Sequence, residues 1–87
     1  MLKAGDEICL FKKDGLIPIT CGVLKYFDGK HDKVCINVDK RPVKLSKHLY
    51  DFVSVSVLSD MNQNDPFMRI RQQYMQFSGM VKRESRT

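Results

Sequence analysis

Apolar and polar positions follow a short period through the first 60 residues and then change to a three-and-four spacing. Gly5-Asp6 opens a run from Glu7 to Lys12 in which Ile8 and Leu10 alternate with Cys9 and Phe11, and Asp14-Gly15 follows as turn chemistry, with Gly supplying the positive φ. A second strand is predicted after Pro18, from Ile19 to Phe27, with Gly22 marking a bulge or a close backbone approach and Asp28-Gly29 ending it. Val34, Ile36 and Val38 alternate with Cys35, Asn37 and Asp39 as a strand with one buried face, and Asp39 to Pro42 turns the chain into Val43 and Leu45. Ser46 is placed to cap a single helical turn through Tyr50. The clearest period-two segment is Phe52 to Leu58, where Val53, Val55 and Val57 stand against Ser54 and Ser56.

Beyond residue 60 the punctuation is that of a helix. Asn64-Asp65-Pro66 sets a capping side chain before a proline at the first helical position, where its missing N–H costs nothing, and predicts a helix over about 66–78 that stops at Gly79. Phe67, Ile70, Tyr74, Phe77 and Val81 fall within about 80° of a helical wheel, with Met68 and Met75 on a flank and Arg69, Gln72, Gln73 and Gln76 opposite. That stripe requires cover, either from the chain's own sheet or from a second protein. The reading is therefore mainly β: five short strands over 1–60 forming a small barrel, then a C-terminal amphipathic helix and a basic terminus over 61–87.

Composition supports this division. The first 60 residues carry 11 Val and Ile, which fit a pleated surface, and the whole chain has one Ala and two Glu, a shortage of strong helix formers. The longest unbroken apolar run, Ile8 to Phe11, is far short of the roughly 20 residues of a membrane span, and the first residues lack a leader's apolar stretch, so the expected setting is cytoplasmic, away from membranes. Cys9, Cys21 and Cys35 all fall in predicted strands; an odd, widely spaced set argues against a disulfide framework and for small core hydrophobes, although two of them can pair in an oxidising compartment. With His31 and His48 they show no metal-ligand spacing, so neither a metal nor another cofactor is expected.

The order of Gly5-Asp6-Glu7-Ile8, Cys21-Gly22-Val23-Leu24, Val34 to Val38, Val43 to Tyr50 and Phe52 to Val57 resembles an SH3-like barrel of the Tudor and KOW kind over residues 5–58. The resemblance implies binding rather than catalysis, with nucleic acid, ribosomal or transcription machinery, or modified peptide segments as partners.

Charge adds a location. The net +5 divides into +2 over residues 1–60 and +3 over 61–87, and four of the five arginines lie in the second part. Lys12, Lys13, Lys30, Lys33, Lys40, Arg41, Lys44 and Lys47 cluster at predicted turns, and Arg69 and Arg71 lie on the helix; together they form the candidate nucleic-acid surface, since lysines follow phosphates and arginine grips them bidentately. Asp14, Asp28, Asp32 and Asp39 intersperse the same loops, so surface solubility accounts for these charges as well as binding does. Tyr26 and Phe27 are adjacent, so one faces the core and the other is either buried under the C-terminal helix, the favoured reading, or a contact for bases. No nucleophile elbow, phosphate loop or paired carboxylate motif appears, and a catalytic role is not expected. The expected function is a regulatory module that binds nucleic acid or a nucleic-acid-processing complex. The alternative is a protein adaptor or homodimer joined through Phe67, Ile70, Tyr74 and Phe77. The small size also suits an accessory protein of a virus or mobile element.

Overall fold

The computed structural model describes residues 2–78; Gly79, Val81 and the basic stretch from Lys82 to Thr87 lie outside the described residues. The chain is mainly β. Strands β1 (Glu7–Lys12), β2 (Pro18–Asp28), β3 (Lys33–Val38), β4 (Arg41–Ser46) and β5 (Tyr50–Ser54) are followed by a one-turn helix α1 (Val55–Leu58) and by α2 (Pro66–Ser78). All strand pairs are antiparallel, in the order β4-β3-β2-β1-β5. Leu45 on one edge strand and Phe52 on the other pack against a common cluster of Ile8, Leu24, Val34 and Ile36, which makes one face of the sheet the apolar interior.

Turn chemistry agrees with the expected positions and differs in the residues that carry it. Between β1 and β2 the left-handed residue is Asp14 (φ 58°) rather than Gly15, and the β3–β4 turn is made by Asp39 and Lys40, both at positive φ (52° and 66°). Gly22 does mark a close approach: a Cβ there would run into the Asn37 carbonyl on β3.

The outer face of the sheet carries a second cluster, in which Cys9 and Phe11 of β1 pack with Leu58 of α1 and Met75 of α2, flanked by Cys21, Val53, Val55 and Met68. Three expectations are corrected on this face. The strand read over Phe52 to Leu58 ends at Ser54, whose hydroxyl accepts the Ser56 and Val57 N–H groups and caps α1, so the Val-Ser alternation belongs half to a strand and half to a helical turn. Cys9 and Cys21 lie directly opposite each other in the β1–β2 ladder and form a disulfide, with Cys35 left as the free, buried thiol. Cross-strand register had brought together two residues that look distant along the chain. Finally, α2 docks through Met68, Arg71 and Met75, while Phe67, Ile70, Tyr74 and Phe77 remain partly or largely exposed.

Arg71 is the element that fixes this orientation. It is 3% exposed, and its guanidinium lies between two rings, 4.3 Å from the Phe11 centroid and 4.5 Å from that of Phe67. Nε donates to the Gly15 carbonyl at 2.8 Å and Nη2 donates to Asp51 Oδ2 at 2.8 Å. Asp51 also accepts the Asp14 N–H at 3.1 Å and faces Lys13 Nζ at 3.4 Å. One ion pair therefore ties α2, the β1–β2 loop and β5 together. Burial pushes the Asp51 carboxyl up, but its bonds to Arg71, Asp14 and Lys13 outweigh this and leave it below its ordinary value.

Removing the guanidinium strands a partly buried carboxylate, so Arg71→Met should cost about 3 kcal/mol in urea unfolding, and Arg71→Lys should recover less than half because an ammonium has no planar fork. Because the folded pKa of Asp51 is lowered, its contribution is fully present above about pH 4 and is lost as pH falls through the folded value; Asp51→Asn should flatten that acid limb in a melting series. Reducing Cys9–Cys21 opens a link between positions 12 apart and should lower stability by about 2–3 kcal/mol, measured as a drop in melting temperature on adding a dithiol reductant.

Candidate basic face on the outer sheet

Helix α2 covers the β5–β1–β2 half of the outer sheet face, and the β2–β3–β4 half carries no helix among the described residues. What this open half displays is set by a bulge in β2. Leu24 pairs with Ile36 and Tyr26 with Cys35, so Lys25 is the extra residue, and Lys25 and Tyr26 stand together opposite Cys35. Leu24 faces the interior, Tyr26 faces outward at 46% exposed, and Phe27 returns to the inner face opposite Val34, half-exposed near the end of the strand.

Cross-strand register lays out two rows on the open face. Tyr26, Cys35 and Lys44 form one, and Asp28, Lys33 and Ser46 form the next. Around them, the β2–β3 turn holds Lys30 and His31, and the turn between β4 and β5 holds Lys47 and His48. Lys47 N–H donates to the Asp32 carbonyl at 3.0 Å, which draws the second turn against the first. The expected helical turn after Ser46 is instead this non-helical reversal, in which the Ser46 hydroxyl accepts the His48 N–H at 3.1 Å. Further along, Lys13 N–H donates to the Leu49 carbonyl at 3.1 Å, joining the β1–β2 loop to the same turn.

Five lysines (Lys25, Lys30, Lys33, Lys44 and Lys47) thus stand on or beside this face with two aspartates, Asp28 and Asp32. Both aspartates are engaged: His31 Nδ1 lies 2.9 Å from Asp28 Oδ2, Lys44 Nζ lies 3.9 Å from the same oxygen, and His48 Nε2 lies 3.3 Å from Asp32 Oδ2. The hydrogen bond from His31 lowers the Asp28 carboxyl from its ordinary value, with the nearby Lys44 charge adding to it, so Asp28 stays ionised over the neutral range. Lys25, Lys30, Lys33 and Lys47 have no ion-pair partner among the described residues.

The candidate basic residues are divided by this arrangement. Lys30, Lys33, Lys44 and Lys47 come together. Lys12 and Lys13 lie at the end of β1, next to the β4–β5 turn, with Lys13 partly held by Asp51. Lys40 and Arg41 are at the opposite end of the β3–β4 hairpin, about 17 Å away at 3.3 Å per residue. Arg69 is exposed on α2, beside Gln63 and Gln72. Arg71 is a correction: its guanidinium is enclosed by Phe11, Phe67, Gly15 and Asp51, and it faces no solvent-borne ligand. Lys25 is the residue that strand periodicity missed, because a regular strand gives no sign that residues 25 and 26 share a face.

Among the described residues no group of three or more His, Cys, Asp or Glu side chains converges in a metal-holding arrangement, and no helix is long and apolar enough to cross a membrane. No protein-family model matches the chain, and no curated protein or solved structure matches it either.

Proposed function

We propose that this chain is a non-catalytic binding module that holds nucleic acid on the open face of β2, β3 and β4. The observation that carries the reading is that face itself: uncovered by the helix, bearing five lysines against two internally engaged aspartates, with an exposed tyrosine among them. Lysines at turns follow a phosphate backbone, and such contacts supply affinity without reading sequence. The five-strand order is compatible with the SH3-like resemblance, which would set the module in transcription or translation, acting alone or within a nucleic-acid-processing complex. In a cytoplasmic setting the Cys9–Cys21 pair would stand as two thiols; the bridge itself belongs to oxidising conditions.

Anisotropy titrations of labelled single-stranded DNA, RNA and duplex DNA test the proposal. Three or four phosphate contacts predict that affinity for a single strand falls about 20- to 50-fold between 50 and 200 mM salt, and that Lys33→Glu with Lys47→Glu weakens binding to every sequence alike. Affinity weaker than about 10⁻⁴ M for all three, with no salt dependence, overturns it.

A second reading has its own observation. Because α2 docks through Met68, Arg71 and Met75, its stripe of Phe67, Ile70, Tyr74 and Phe77 is left available to a protein partner or a second copy, with Phe77 90% exposed. In sedimentation velocity a dimer would appear as a concentration-dependent shift abolished by Ile70→Asp; a wild-type monomer at all concentrations removes the homodimer.

A further inference from the structure

Resting on the nucleic-acid reading above, the geometry of the open face goes further, and we infer that its ligand is single-stranded, with one unpaired base stacked on the Tyr26 ring and the flanking phosphates taken by Lys25, Lys33 and Lys44.

The first argument is the ring's setting. Tyr26 and Lys44 sit on strands separated by β3, about 10 Å apart at roughly 4.8 Å per strand, yet Lys44 Nζ is 5.9 Å from the Tyr26 ring centroid. The two side chains therefore lean towards each other across Cys35, which is buried between them and is small enough to leave that space. The result is a half-exposed aromatic ring with an ammonium over it, 5.9 Å from its centroid; rings and cations together are what hold unpaired bases, the ring taking a base face and the cation tracking the backbone. The Tyr26 hydroxyl makes no hydrogen bond among the described residues, and the residue is 46% exposed.

The second argument is the width of the face. Three strands with their side chains are broader than the about 12 Å major groove, which takes a helix or a two-stranded ribbon, and far broader than the about 6 Å minor groove. Bases inside a duplex are stacked on one another, so a ring held on a sheet cannot reach them. A single strand laid along the face presents its bases freely.

The third is the arrangement of charge. Lys33 lies in the row next to Tyr26 and Lys44, and Lys25 is placed beside Tyr26 by the bulge. The one carboxylate in these rows, Asp28, is held by His31 at 2.9 Å and lies near Lys44 at 3.9 Å, so its charge is partly offset from within the fold.

The experiment uses the full chain with three probes: a labelled dT12 strand, a 12-base-pair duplex, and inorganic polyphosphate, which carries charge but no bases. The expected result is that dT12 binds more tightly than the duplex. Tyr26→Ala should weaken dT12 by about 5- to 150-fold, the span seen for alanine at base-stacking rings, while leaving polyphosphate affinity unchanged. Lys33→Glu should weaken dT12 and polyphosphate together. Tyr26→Trp keeps a stacking surface and gives a reporter in a chain without tryptophan; its emission should be quenched by dT12 and not by polyphosphate. This variant decides the matter if the alanine protein fails to fold.

If Tyr26→Ala weakens dT12 and polyphosphate equally, the ring only positions Lys44 and stacking is overturned. If dT12 and duplex bind alike and the tyrosine is indifferent while Lys33→Glu abolishes both, stacking is overturned and the nucleic-acid module stands. Failure of all three probes to bind removes both readings.

Discussion

The arrangement of this small chain depends on the Arg71–Asp51 ion pair and the two phenyl rings that enclose it. Taking a guanidinium out of water is costly, and here the cost is met by two short charge-assisted bonds, to Gly15 and Asp51, and by the faces of Phe11 and Phe67. The partners come from the β1–β2 loop, β5, β1 and α2. No other side chain of α2 pairs with a charged group of the sheet among the described residues. Satisfying this one group selects a single rotation of α2 about its axis. Because those partners lie in the β1–β2 loop, on β5 and on β1, the same contacts place the helix over that half of the outer face and leave the other half open.

That constraint also explains what could and could not be read from the residues. The bounds of β1 and of α2 agree with the expected ones because their signals are local: Gly5-Asp6 and Asp14-Gly15 around β1, Asn64-Asp65-Pro66 before α2. The docked side of α2 was not legible. A wheel ranks Phe, Ile and Tyr above Met and Arg, and it predicts the apolar stripe as the buried one; the contact that decides is polar and long-range. In the same way, Ser54 is a strand residue by period and a helix cap by hydrogen bonding, so β5 ends three residues before the last valine of the alternation. The disulfide needed the β1–β2 register, which spacing along the chain does not reveal.

Charge read along the chain and charge read in space give different maps. Counted by segment, the tail carries the larger excess, but Arg71 is neutralised inside the fold, leaving Arg69 as the free cation of the described part of α2. The lysines instead gather where two turns are hydrogen-bonded together through Lys47 and Asp32. Their aspartate neighbours, which read as simple solubilising charges, are placed by His31, His48 and Lys44. Candidate lysines at turns were thus recoverable from sequence, while their grouping, and the exclusion of Lys40 and Arg41 from it, were not.

The bulge at Lys25 acts on β2 much as an inserted letter acts on a reading frame. Upstream of it, even-numbered residues such as Leu24 point inward; downstream, odd-numbered ones such as Phe27 do, and Tyr26 is put outside by that change of phase. A β2 that kept Lys25 but ran as a regular strand would exchange the places of Tyr26 and Phe27, sealing a hydroxyl into the interior and presenting a bare phenyl to water, whereas loss of Lys25 itself would remove the bulge and leave both rings where they are. It is therefore the backbone bulge, and not the side chain of Lys25, that decides which ring this strand shows to water.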